Sequence, residues 1–94
     1  MIEFKDTAKM LQEMIAKVPS EMKKQYDYSF DLSDRIDEQM KSQGVSRREL
    51  ARRTGKRPSE VTRWLSGQHN FTLATIAKLS VALDHDFLEI VRPP

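Results

Sequence analysis

No cysteine occurs in these 94 residues, so neither a disulfide framework nor a thiolate metal site can form, and a reducing cytoplasm is the expected compartment. Histidine is nearly absent. His69 and His85 stand alone, without His-x-x-x-His or Glu-x-x-His spacing, and no glycine-rich phosphate loop accompanies them. Catalysis needs convergent titratable groups, so no enzyme, no metal and no cofactor is expected. Apolar runs are short throughout, which excludes a bilayer-spanning segment. The opening Met1-Ile2-Glu3-Phe4-Lys5-Asp6 carries acids where a secretory signal needs an apolar stretch. With only three glycines, four prolines and 7% aromatics, the composition argues for compact helices rather than a sandwich or a disordered tail.

What the chain does have is charge, and it is unevenly spread. Residues 1–44 hold seven Lys/Arg against nine Asp/Glu, whereas residues 45–94 hold nine against five. Within residues 45–68 seven bases (Arg47, Arg48, Arg52, Arg53, Lys56, Arg57, Arg63) face only Glu49 and Glu60. A polyanion suits that stretch, although a charge run alone is equally well a solvated helical face. The length leaves room for a single domain, large enough for helices to bury a self-supporting core.

Apolar residues along the chain recur at helical steps. Phe4, Ala8, Leu11, Ile15 and Val18 describe one face of a helix over residues 4–18, widened by Met10 and Met14 and stopped by Pro19. Ser20-Glu21 can cap a short second helix, and a further amphipathic helix is expected over 31–43 from Leu32, Ile36 and Met40, closed by Gly44. Ser46-Arg47-Arg48-Glu49 has the form of a capping box, with Glu49 reaching back to the cap. The helix it opens, carrying Leu50 and Ala51 inward, ends at Gly55. Pro58 then suits the first turn of a helix over about 58–66, with Val61 and Trp64 as its apolar positions. Thr72 caps a last helix carrying Leu73, Ile76, Leu79 and Leu83.

Two short helices joined by a glycine turn, the first opened by a Ser-x-x-Glu box and the second polar at its start, form a helix-turn-helix. Ala51 lets the two helices cross closely and Gly55 supplies the positive φ of the turn. Larger side chains at either place are expected to unfold the motif.

The stretches Glu49-Leu50-Ala51, Gly55, Val61-Thr62-Arg63-Trp64 and Ser66-Gly67, continuing into Leu73–Leu83, resemble the Xre, lambda-repressor/Cro-like helix-turn-helix regulators over roughly residues 30–85. Trp64-Leu65-Ser66-Gly67 followed by His69-Asn70-Phe71-Thr72-Leu73 also resembles the antitoxin subgroup, whose members sequester a toxin and repress their own operon. The resemblance implies an all-α fold: a five-helix lambda-repressor-like domain over 29–94, with an extra N-terminal helical arm over 1–28. It further implies a transcriptional regulator, in most cases a repressor, acting on double-stranded DNA, with a toxin as a second partner if the antitoxin likeness holds.

In this architecture the second helix of the motif enters the major groove and the first crosses the backbone. Matched by position, Arg57, Ser59, Thr62 and Arg63 fall to the bases. Arg63 is the strongest of these, because a guanidinium can bond bidentately to guanine for roughly 1–3 kcal/mol of discrimination. Arg47 matches the family's phosphate position, with Lys56, Gln68, His69 and Asn70 assigned to flanking phosphates. Two departures from the family pattern stand out. Arg57 replaces the usual Ser/Thr cap, which implies a looser start to the recognition helix, and Leu65 replaces a polar residue. Operators of this fold are commonly two half-sites about 34 Å apart, so a homodimer is expected. It would be joined either through the arm or through Leu88, Ile90 and Val91. The arm could instead dock a toxin or fold back onto its own domain.

Overall fold

A computed structural model of the chain describes residues 4–94, with the side chains of Phe4 and Lys5 excepted. Among the described residues there are five helices and no strand: α1 (Phe4–Ala16), α2 (Ser20–Gln43), α3 (Arg47–Thr54), α4 (Pro58–Trp64) and α5 (Leu73–Ala82).

The main departure from expectation lies in α2. Two helices were expected between Ser20 and Gln43, yet one unbroken 24-residue helix runs through. No glycine or proline interrupts that span, so nothing removes a backbone hydrogen bond or relaxes φ. Tyr26, Tyr28 and Phe30 are mediocre helix formers but not breakers. Pro19, expected only to stop the preceding helix, also starts this one: its carbonyl accepts from Met22 N–H at 3.0 Å and from Lys23 N–H at 3.2 Å. Helix α1 ends at Ala16 rather than reaching Val18, and the 4–18 stripe is therefore shorter at that end. Its Phe4 end lies outside the described side chains.

The core gathers Ile36 and Met40 of α2, Val45 of the turn that follows, Leu50 and Ala51 of α3, Val61 and Trp64 of α4, and Leu79 and Leu83 at the end of α5. Ile36, Leu50, Val61 and Leu83 are wholly inaccessible to solvent; burying one such side chain stabilises the fold by roughly 1.5–3 kcal/mol. Leu65 and Phe87 pack on its edge, so Leu65 covers the core. Leu73 does not join it: at the first turn of α5 it points outward and is 71% exposed.

Gly44 and Gly55 both take the left-handed conformation, φ 66° and 70°. After Gly44 the chain turns so that Val45 N–H donates to Met40 C=O at 2.8 Å while the Val45 side chain enters the core, a helix end locked by a hydrophobic contact. At Gly55 an added Cβ meets nothing within 4 Å, so the requirement for glycine there is the positive φ expected of the turn and not a lack of space. Ala51, only 3% exposed, is where bulk would collide.

The arm stands clear of the core. The radius of gyration is 17.3 Å, against ~12 Å for a compact chain of this length. Leu11 and Ile15 are 54% and 60% exposed, so α1 does not fold back onto its own domain.

Candidate nucleic-acid interface

Helix α3 opens as the sequence implies, with Ser46 Oγ accepting from Glu49 N–H at 3.1 Å. The other half of the expected capping box is absent. The Glu49 carboxylate turns forward along the helix and accepts from Arg52 Nη2 at 2.5 Å and Arg53 Nε at 3.1 Å. Hydrogen bonds from Arg52 and then Arg53 hold its pKa at about 2, below the ordinary 4.5. Two guanidiniums outcompete one backbone N–H for a carboxylate, because charge-assisted bonds are the stronger kind. Arg53 also donates to Ala82 C=O at 3.1 Å, tying α3 to the end of α5.

This sorts the seven bases of the 45–68 stretch. Arg52 and Arg53 share the single Glu49 carboxylate, whereas Arg47, Arg48, Lys56, Arg57 and Arg63 are exposed and enter no salt bridge among the described residues. Five solvated cations on two short helices and their turn form an uncompensated positive field.

Helix α4 is seven residues long and ends at Trp64 rather than near residue 66. Leu65 follows as its C-cap, and Ser66 Oγ donates to Arg63 C=O at 2.7 Å. Val61 and Trp64 face inward, 0% and 4% exposed. Ser59, Thr62 and Arg63 lie on the opposite, exposed face, one helical turn of polar groups aimed at solvent. Arg57 precedes them in an extended conformation, φ −87° and ψ 151°. A guanidinium accepts no hydrogen bond, so Arg57 cannot cap with its side chain. Glu60 compensates in part, its Oε2 accepting from Arg57 N–H at 3.3 Å. The start of α4 therefore keeps half of a box, and the Arg-x-x-Glu spacing that allows this was readable in the sequence.

Arg47 and Thr62 come together. Arg47 Nη1 donates to Thr62 Oγ1 at 3.4 Å, and Thr62 Oγ1 donates in turn to Pro58 C=O at 3.2 Å. The following loop is less uniform. Gln68 is exposed, its N–H held by Ser66 Oγ at 3.2 Å. His69 is half-buried with its ring edge-on to Phe71, 4.8 Å between centroids. Asn70 is exposed on the rim of a groove between α2, α5 and the C-terminal tail.

Sequence reasoning missed what holds α4 in place from behind. Ser33, 4% exposed on α2, donates to Trp64 C=O and accepts from Gly67 N–H at 3.2 Å. One hydroxyl thus serves both the last carbonyl of α4 and the turn after it. No local pattern marks this serine; its position four residues after Ser29 and three before Ile36, on the buried face of an unbroken α2, was the available signal. Gln43 plays a similar part for α5, donating to Leu83 C=O at 2.7 Å.

Residues 36–90, more than half of the chain, match the model of a helix-turn-helix family. The chain belongs to the Xre, lambda-repressor-like helix-turn-helix family. No curated protein and no solved structure matches it. Membership makes this helix-turn-helix protein a DNA-binding regulator and double-stranded DNA its partner. The match begins at Ile36, midway along α2, and takes in α3, α4 and α5, so α1 and the first half of α2 lie outside it. Among the described residues no helix is long and apolar enough to cross a membrane, and no group of three or more His, Asp or Glu side chains is placed to hold a metal.

Proposed function

We propose that this helix-turn-helix protein is a sequence-specific repressor that binds an operator as a dimer. Helix α4 lies in the major groove, with Arg57, Ser59, Thr62 and Arg63 against the base edges. Arg47, Lys56, Gln68, His69 and Asn70 hold the flanking phosphates. The observation that carries this reading is the exposed polar face of α4 beside cations with no acidic partner, over a helix whose other face is locked into the core. Residues 29–94 act as the reading domain and residues 1–28 as the arm. Footprinting across the promoter of the protein's own gene tests it: two protected half-sites about one helical turn apart are expected, and uniform, sequence-independent protection overturns it.

A second reading, an antitoxin that also neutralises a toxin, is favoured by one feature. The groove between α2, α5 and the tail is lined with apolar side chains, among them Tyr28, Leu32, Ile76, Leu88 and Ile90. Co-expression with the product of the adjacent reading frame decides: a co-purifying toxic neighbour supports it, and the absence of such a neighbour leaves a plain repressor.

A further inference from the structure

Ser59, Thr62 and Arg63 share the exposed face of α4, yet they do not offer a base edge the same thing. Ser59 and Arg63 make no side-chain hydrogen bond or ion pair among the described residues. Thr62 makes two hydrogen bonds. Its Oγ1 accepts from Arg47 Nη1 at 3.4 Å and donates to Pro58 C=O at 3.2 Å.

The direction of these bonds decides what remains of the side chain for DNA. A guanidinium only donates, so the hydroxyl cannot give its proton to Arg47. The proton goes to the Pro58 carbonyl one turn back, and a lone pair takes the Arg47 N–H. Without a proton to give, Thr62 cannot bond N7 or O6 of guanine, N7 of adenine or O4 of thymine, all of which are acceptors. The same bonds orient the side chain. A threonine hydroxyl bonded to the carbonyl one turn back holds χ1 in a single well. The lone pair still free sits on an oxygen flanked by Arg47 and the Pro58 carbonyl, so on this exposed residue the methyl is the branch left to meet a base. Thymine alone among the four bases presents a methyl group in the major groove.

The geometry points to Thr62 as a reader of thymine, acting through contact of its methyl with the C5 methyl of that base and not through its hydroxyl. This deepens the proposed function and rests on α4 lying in the major groove. It divides the face into two kinds of contact: Ser59 and Arg63 recognise hydrogen-bonding edges, and Thr62 recognises an apolar one.

The test uses the full chain and a duplex that the wild type selects from a randomised pool. Each thymine of a half-site is replaced in turn by deoxyuridine, which pairs like thymine and lacks only the C5 methyl. Anisotropy gives the ratio of the two affinities at each position, so a uniform change in binding cancels. In the wild type, deoxyuridine at one position should weaken binding about fourfold, the effect of uncovering one methyl-sized group. Thr62→Ser keeps the hydroxyl and loses the methyl, and should bind thymine and deoxyuridine there alike. Thr62→Val keeps the methyl and loses the hydroxyl, and should retain the ratio. Trp64 fluorescence in urea shows that each variant is folded. The proposal is overturned by a wild type indifferent to every thymine methyl, or by a Thr62→Ser variant that keeps the full ratio. A Thr62→Val variant that loses the ratio overturns it too, since the oxygen would then be the reader. Arg63→Ala separates this proposal from the reading beneath it. If that variant loses base preference while Thr62→Ser keeps the thymine ratio, α4 is in the groove and only the Thr62 assignment falls. If the wild type selects no sequence from the pool, both fall.

Discussion

Arg47 Nη1 lies 3.4 Å from Thr62 Oγ1, so the first residue of α3 and the outward face of α4 present their polar groups at a single place. A residue proposed for phosphate and one proposed for base edges therefore share a hydrogen bond before any duplex arrives. Arg47→Ala is expected to weaken binding to all duplexes alike and to lower the salt slope by about one. Arg63→Ala is expected to lose roughly 1–3 kcal/mol of preference at one base pair, with little change in the slope. Anisotropy titrations at several salt concentrations, on operator and scrambled duplexes, separate the two. Equal loss on both duplexes for Arg63→Ala would remove it from the bases.

Ser33 joins α2 to the end of α4 through two hydrogen bonds. Ser33→Ala leaves the Trp64 carbonyl and the Gly67 N–H without that partner and should destabilise the fold by about 1–3 kcal/mol. For a chain of this size that lowers Tm by several degrees. Urea unfolding followed by the single tryptophan, Trp64, measures it; an unchanged midpoint would show that water replaces the hydroxyl without loss.

Gly55→Ala isolates a backbone cost. The added methyl meets nothing within 4 Å, so only the φ of 70° is paid, and a loss of about 1 kcal/mol is expected. Ala51→Leu, by contrast, forces atoms into the core and should cost about 1–3 kcal/mol. If the Gly55 variant proved the worse of the two, crowding at the turn would have been missed.

Glu49 gives a pH signature. Its carboxyl titrates at about 2 in the folded chain, below the ordinary 4.5, because Arg52 and Arg53 bond its charged form. A depressed folded value means the contribution is complete above pH 4.5 and drains away as pH falls toward 2. Unfolding midpoints of the wild type and Glu49→Gln should therefore differ by a constant amount from pH 8 down to about 5 and converge below that. A difference that grew toward low pH would have the sign wrong.

Much of this fold was legible because it is written in local signals. Gly44, Gly55, Ser46, Pro58 and Thr72 each mark a helix end through a conformation or a hydrogen bond that only a few residue types supply, and the structure uses every one of them. The alternation of Val61 and Trp64 with Ser59, Thr62 and Arg63 likewise told the two faces of α4 apart. What escaped was decided at a distance or by competition. Tyr26, Tyr28 and Phe30 looked like a connector because aromatic residues favour helices weakly, yet no breaker stands among them. Glu49 had two suitors, the cap and the arginines ahead of it, and spacing fits both. Ser33 bonds residues more than thirty positions away, which no local pattern encodes.

The unbroken run of α2 makes it a strut. Its outer half carries the arm and its inner half is bonded by Ser33 to the end of α4, with no break in the helix between them. Between α1 and this strut lies the turn at residues 17–19, so any change in the direction of the arm against α4 has to arise there and not within α2.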